Sequence, residues 1–326
     1  MKRDKALSGA TVQHPALTKS PALFHELRKN KLRYIMLMPA VAYFIIFAYV
    51  PMTGIIIAFK NYRYDLGIFR SPWNGFDNFR FYFNSGRVLK LTMMTVGYNV
   101  AFIVTGIFFS VLLALILSEL KNKTFKKITH SIIFLPYFIS WVVVAFMSYN
   151  LFSTNFGVIN TMLRDWGMSP IDFYGSSNIW RVLVVVFSNW KGIGYSSIIY
   201  LAVLTSISPE YYEAAQIDGA SIWQRTRYIS LPFIKPTMII LLLMSLGGVF
   251  RGGGEMFYQL IGTNMNLTPQ VDVIDSYILR SLINPIGTIN YGMSAAVGLY
   301  QQLAGFILII TANAIARKVS PENALF

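Results

Sequence analysis

The chain has 326 residues, of which 55% are hydrophobic and only 13% are charged, and it carries a formal net charge of +14. An average soluble domain is roughly 25% charged, so this composition excludes water as the main solvent and indicates a lipid bilayer. The sequence contains no cysteine, which excludes a disulfide framework and a thiolate metal site.

Six apolar runs along the chain are long enough to cross a bilayer. A hydrocarbon core about 30 Å thick needs roughly 20 apolar residues in helical form, because lipid offers the backbone no hydrogen-bond partner. The sequence therefore predicts an all-α polytopic membrane protein of about six transmembrane helices. We place an N-terminal arm at 1–31, a transmembrane domain at 32–316 and a tail at 317–326, with spans near 33–59, 90–118, 128–152, 180–206, 233–252 and 292–316.

The N-terminal arm and the second connection, 119–127, are rich in lysine and arginine. By the positive-inside rule both are cytoplasmic, and an even number of spans then places both termini in the cytoplasm. About 30 polar residues precede the first span, so we expect it to be retained rather than cleaved as a signal. The basic residues never follow one folded face with interleaved aromatics, which argues against a nucleic-acid partner. The basic first connection, 60–90, is an exception to the charge pattern.

Ionisable groups are sparse within the predicted spans. His14, His25 and His130 lie outside the spans or at an edge, and Glu255 lies beside the end of an apolar run. A proton relay, a zinc-hydrolase motif and a pair of catalytic carboxylates are therefore not expected at membrane depth. The chain also lacks the phosphate-binding pattern G-x-x-x-x-G-K-[ST]. We expect a non-catalytic protein without cofactor or metal.

The fourth connection, 207–232, has the chemistry of two short helices. Ser208 suits an N-cap, Pro209 suits the first helical position, and Glu210 and Glu213 favour the positive end of the dipole. We expect Gly219 to close this helix, a second one to follow from Ser221 to about Tyr228, and Pro232 to break it before the fifth span. The result is a helical knob that presents small and apolar side chains for docking, or else an ordinary amphipathic connection.

The knob resembles the signature of permeases from binding-protein-dependent ABC importers, which is E-A-A, three residues, Gly, nine residues, then Ile-x-Leu-Pro. The matching residues are Glu213, Ala214, Ala215, Gly219, Ile229, Leu231 and Pro232. Further similarity to the carbohydrate-uptake class occurs at 38–40, 71–79, 135–142 and 273–277. Within that class the chain is most similar to permeases that import oligosaccharides from polysaccharide breakdown, alginate fragments among them. The glycine-rich stretch 251–255 departs from the family pattern.

The resemblance implies the type I importer permease fold, in the bacterial inner membrane, with a coupling loop at 207–232. It also implies a second related permease, two ATP-binding subunits that hold ATP and Mg, and an extracytoplasmic solute-binding protein. A stand-alone secondary transporter or channel is the main alternative, followed by a membrane enzyme and a scaffold. The signature loop and the lack of a proton relay argue against them.

In such permeases the solute path lies near the bilayer midplane and is lined by the later spans. The fourth span interrupts its apolar run with Asn189, Trp190, Lys191 and Tyr195, which is costly unless it lines a cavity. Sugars offer hydroxyls and apolar ring faces, so Trp190, Tyr195, Gln301 and Gln302 are candidate ligands. The same residues also suit interfacial anchoring or bonds between helices.

Two cations complete the candidates for the solute path. Lys191 and Arg251 can offset the carboxylates of an acidic sugar, or they can snorkel or pair with Glu255. The fourth span contains no acid, so a partner for Lys191 must come from another helix, the other permease or the solute.

Overall fold

The computed structural model describes residues 29–84, 86–262, 264–283 and 290–319. Most of the basic arm, with His14 and His25, and most of the C-terminal tail therefore lie outside the described residues. Within the described ranges the chain is helical, apart from connections and one antiparallel bridge between Lys60 and Trp73. The predicted all-α membrane fold is confirmed.

The helices alternate between long spans and short connecting segments. In chain order the described residues form α1 (Lys31–Phe59), α2 (Gly67–Arg70), α3 (Asp77–Asn84), α4 (Arg87–Glu119), α5 (Lys123–Phe138), α6 (Trp141–Phe152), α7 (Val158–Asp165), α8 (Ser177–Ser206), α9 (Pro209–Ile217), α10 (Ile222–Leu246), α11 (Gly254–Ile261), α12 (Thr268–Val271), α13 (Ile274–Ile283) and α14 (Tyr291–Val319).

The chain divides into two compact units, up to Thr53 and from Gly54 onward. The described part of the first unit is the bulk of α1, in which no residue is buried. A π-turn at Ile45–Tyr49 interrupts this helix just before Pro51, and the Val50 N–H donates to the Ile45 carbonyl. The extra residue in the turn accommodates a proline that cannot donate to the helix ladder.

The second unit is built around the long pair α4 and α8, which pack along each other. One core cluster lies among α4, α6, α8 and α11 and contains Tyr98, Trp180 and Phe257. A second cluster joins α4, α8 and α10 through Ala114, Tyr200, Ile234 and their neighbours. These clusters pack the later spans against one another.

The third predicted span is sharply bent instead of straight. α5 and α6 meet at an angle of 98° across the break between Phe138 and Trp141. Ile139 has an extended backbone there, and Ser140 begins α6 by accepting a hydrogen bond from the Val143 N–H at 3.4 Å. Within the described ranges, five helices are long and apolar enough to cross a membrane alone, and the bent pair brings the number to six if it crosses as one span, in agreement with about six.

Two expectations about the fifth span are wrong. Pro232 does not break a helix, because a π-turn at Thr226–Ser230 precedes it and the Leu231 N–H donates to the Thr226 carbonyl. α10 therefore continues from Ile222 through this π-turn and past Pro232. It ends at Leu246 instead of 252, and the following residues to Gly253 leave the helix before α11 begins.

Candidate functional site

The signature loop forms a helix–turn–helix knob, as expected. Gly219 has φ +77°, the Ala220 N–H donates to the Ala215 carbonyl at 2.8 Å, and the Gly219 N–H donates to the Gln216 carbonyl at 3.0 Å. This pair of bonds is a Schellman motif, which requires the left-handed backbone that glycine adopts without strain. Ser208 occupies the N-cap position of α9, although its side chain makes no capping hydrogen bond.

The second half of the knob begins with a capping box. The Ser221 N–H donates to Gln224 Oε1 at 2.7 Å, and the Gln224 N–H donates to Ser221 Oγ at 3.3 Å. Both ends of the Asp218–Ser221 turn are therefore closed by internal hydrogen bonds. The turn has a defined shape, which suits a surface that another protein must recognise.

The base of the knob is anchored to the spans. Arg225 pairs with Glu119 at the end of α4 across 3.6 Å, and Tyr212 shares a hydrogen bond of 3.0 Å with Ser230. Ile229 and Leu231 pack against the core cluster that joins α4, α8 and α10. The base of the knob therefore contacts three spans through side chains.

The signature residues divide between the surface and the base of the knob. Glu213, Ala214, Gly219 and Pro232 are exposed, whereas Ala215, Ile229 and Leu231 are half-buried. The most exposed large apolar side chains of the knob are Ile217 at 87% and Trp223 at 72%, and neither stood out from the sequence as a site residue. Large apolar residues that flank a glycine turn in a polar loop were the available signal.

The candidate residues of the fourth span gather at the break in the third. Lys191 Nζ donates to the carbonyls of Tyr137 and Ile139 at 2.6 Å each and to that of Pro136 at 3.4 Å. A lysine ammonium has three donors, so these carbonyls account for all of them. The positive charge also lies at the negative end of the α5 dipole. Lys191 therefore caps the C-terminal end of α5. The sequence alone left the partner of Lys191 undecided, and the structure shows that these carbonyls of another helix are its partners.

Aromatic rings surround this cap. Tyr195 stacks on Tyr137 with centroids 4.4 Å apart, and Lys191 Nζ lies 5.5 Å from the centroid of the Trp141 ring. Gly194 allows the helices to approach, because a Cβ there would overlap the backbone of Ile133. We call the Lys191 cap and these rings the third-span break.

A second break interrupts the fifth span. Gln301, buried on α14, donates to the Phe250 carbonyl and to Asp275 Oδ1, while Asp275 Oδ2 accepts from the Gly252 N–H at 2.8 Å. A Cβ on Gly254 would lie 2.5 Å from the Asp275 Cβ. Gly253 has φ +63°. The glycine run therefore allows an unwound segment, 247–253, to lie against α13. We call this segment the fifth-span break.

Arg251 lies on this segment beside an open groove. Its Nη2 donates to Gln302 Oε1 at 2.9 Å, and both side chains are exposed. The groove has a volume of about 380 Å³ and is otherwise mainly apolar, with Phe250, Leu303, Phe306 and Ile309 among its lining residues.

The remaining candidates do not join either cluster directly. Asn189 donates to Thr105 Oγ1 on α4 at 2.8 Å, so it links two spans. Trp190 is exposed, and Glu255 is exposed in the first turn of α11. Among the residues that the structure describes, Glu255 forms no ion pair with Lys191. Within the same ranges no group of three metal-ligating side chains is assembled.

The chain matches a known protein family and is similar to proteins of that family. Residues 106–321 match the family described as "Binding-protein-dependent transport system inner membrane component". The chain is 36% identical to the polygalacturonan/rhamnogalacturonan transport system permease protein YteP of Bacillus subtilis, over 94% of each chain.

Two solved structures are also similar to this chain. The chain is similar to a crystal structure of a bacterial ABC transporter involved in the import of the acidic polysaccharide alginate. The TM-score is 0.80 and the identity 32%, over 91% of this chain and 99% of that one. A second structure, of a bacterial alginate ABC transporter in complex with alginate pentasaccharide-bound periplasmic protein, matches with the same TM-score and identity over 91% and 98%.

Proposed function

Because the chain belongs to the family of binding-protein-dependent transport system inner membrane components, we propose that it is an importer permease whose solute is an acidic oligosaccharide. It is a transmembrane permease subunit of an ATP-driven oligosaccharide importer. Two observations support the acidic class: the similarity to a polygalacturonan/rhamnogalacturonan permease and to an alginate importer. Membership of a binding-protein-dependent family argues against the stand-alone transporter or channel.

The observation that carries the coupling role is the geometry of the knob. Its turn is closed by internal hydrogen bonds, its apolar tip is exposed, and its base contacts three spans. Such a surface can fill a groove on an ATP-binding subunit and transmit that subunit's movement. Glu213, Ala214, Ala215 and Gly219 would then form the docking surface, with Ile229, Leu231 and Pro232 at its base.

The proposed assembly contains a second permease, two ATP-binding subunits that hold ATP and Mg, and an extracytoplasmic binding protein. The chain itself is a non-catalytic subunit that binds no cofactor. The basic second connection and the knob both lie on the cytoplasmic side in this arrangement, as do the two termini. The family description supports an inner-membrane location.

The test is to reconstitute the complete transporter in proteoliposomes and to capture the ATP-binding subunit on tagged permease. We expect Gly219→Pro to abolish capture and ATP-driven uptake, because proline cannot adopt φ +77° and removes the N–H bonded to Gln216. Glu213→Ala should lower stimulated ATP hydrolysis while insertion and helix content are unchanged.

Gly167→Pro is the matched control. Gly167 also has a positive φ, +73°, and its N–H donates to the Arg164 carbonyl, but it lies beyond α7, away from the knob. It should retain capture of the ATP-binding subunit. Capture at wild-type yield together with normal uptake by both knob variants would contradict the coupling role.

A further inference from the structure

The fifth-span break lies beside the middle of α14. Gly305 is the central residue of α14, and Gln302 lies three residues before it, or about 4.5 Å along the axis. A Cβ on Gly305 would meet the carbonyl oxygen of Gly247, so the end of α10 reaches the same level. The Arg251 guanidinium, which is bonded to Gln302, therefore lies near the middle of this membrane-spanning helix. Non-helical backbone is tolerated there only where it is buried in protein or lines a cavity.

The charge of Arg251 is not offset by an ion pair within the described residues. The nearby acid Asp275 accepts from the Gln301 amide on one oxygen and from the Gly252 N–H on the other. A guanidinium has five N–H donors, and the Gln302 carbonyl oxygen accepts from one of its terminal nitrogens. A charge exposed at this depth faces a partner or a water-filled cavity, because lipid would make it costly.

The groove beside Arg251 has the size and lining of a small-molecule site. Its volume of about 380 Å³ falls within the roughly 300–1,000 Å³ of such sites. Phe250 and Phe306 offer apolar surface for the C–H faces of a sugar ring, and Arg251 and Gln302 supply the polar end.

We propose that Arg251, oriented by Gln302, recognises the carboxylate of a uronic-acid unit as the solute passes the midplane. A planar guanidinium binds a carboxylate through two parallel hydrogen bonds, which no hydroxyl of a neutral sugar can reproduce. Lys191 does not serve this role, since its three donors are taken by backbone carbonyls. The inference rests on the proposed function and narrows it to one specificity-determining residue.

The test uses the reconstituted complex with its binding protein and two probes, trigalacturonate and its fully methyl-esterified form, after binding of both to the binding protein has been measured. Arg251→Gln should lower ATP-driven uptake of the acid by about tenfold or more, and uptake of the ester by less than about twofold. Arg251→Lys should retain part of the preference for the acid. Arg317→Gln, an exposed change at the cytoplasmic end of α14, is the matched control and should alter neither rate.

Each outcome decides a separate question. Equal loss of acid and ester uptake, with a lower yield of assembled complex, would mean that Arg251 pairs with an acid of the second permease, and would overturn the inference. Unchanged uptake of both probes by Arg251→Gln would overturn it as well. Failure of the unmodified complex to import the acid would overturn the proposed acidic class itself, and the inference with it.

Discussion

The third and fifth spans are both broken, and each break carries one cation, but the two cations have opposite surroundings. Lys191 donates to three backbone carbonyls at the end of α5. Arg251 donates to one side-chain amide and is exposed on a groove. The unwound backbone beside Arg251 is bonded instead by the Gln301 amide, which donates to the Phe250 carbonyl, and by the Asp275 carboxylate, which accepts from the Gly252 N–H.

A charge within a membrane span therefore does not by itself indicate a ligand site. What decides its role is whether the protein supplies acceptors for its donors. A cation whose donors all meet carbonyls is part of the scaffold, whereas one with spare donors can bind a solute. The predictions below test this division.

The largest effect is expected for Lys191→Met. The change leaves three carbonyls without their charged donor, and bonds to charged groups contribute roughly 1.5–3 kcal/mol each. We expect a loss of about 3 kcal/mol or more in unfolding free energy, measured on purified permease by denaturant titration in detergent. Acidic and neutral sugars should lose uptake together.

Lys235→Met is the control, because Lys235 is an exposed lysine near the start of the fifth span. It should leave the unfolding transition unchanged. A selective loss of acid uptake in Lys191→Met, at wild-type stability, would indicate that Lys191 contacts the solute. It would contradict the difference in role between Lys191 and Arg251.

A smaller effect is expected for Gly254→Ala at the fifth-span break. The added methyl group would overlap the Cβ of Asp275, and such overpacking costs roughly 1–3 kcal/mol. Gly192→Ala, in α8 beside the third-span break, has no atom within 4 Å of the new Cβ and should be neutral or stabilising. Thermal unfolding of both variants side by side would measure this difference. Equal stability of the two would contradict the close approach at Gly254.

The smallest effect is expected for Gln302→Met. This change removes the side chain that orients Arg251, so uptake of acidic sugar should fall by about fivefold, equivalent to roughly 1 kcal/mol, at unchanged stability. The adjacent Gln301→Met should instead lower stability, because Gln301 is buried and bonded to Phe250 and Asp275. If the two neighbours behaved alike, the separation of scaffold from groove would be wrong.

The sequence predicted the fold class and the turn of the knob at Gly219, because both depend on local patterns. Apolar runs report spans directly, and the positive φ of Gly219 and the Ser221 capping box arise within a few residues. The docking role of the knob remains a prediction. The bend at Ile139 was not anticipated, since apolarity reports the length of a span but not its direction.

The two cations could not be distinguished from sequence because their partners are distant. The carbonyls that accept from Lys191 precede it by more than 50 residues, and Arg251 and Gln302 are 51 residues apart. A shorter-range contact accounts for one charge of the first connection, where basic residues are an exception to the orientation rule. Lys60 there is buried and donates to the carbonyls of Ile68 and Phe69, so this charge contributes to the fold of its own loop.

The uninterrupted course of α10 past Pro232 has a mechanical consequence. Its 25 residues form one rod of about 37 Å, with the knob at one end and the Arg251 segment at the other. If the helix moved as one body, a tilt of about 10° around one end would displace the other by about 6 Å. A helix broken at Pro232 would absorb such a rotation at the joint. The π-turn thus keeps the knob and the groove on one helix.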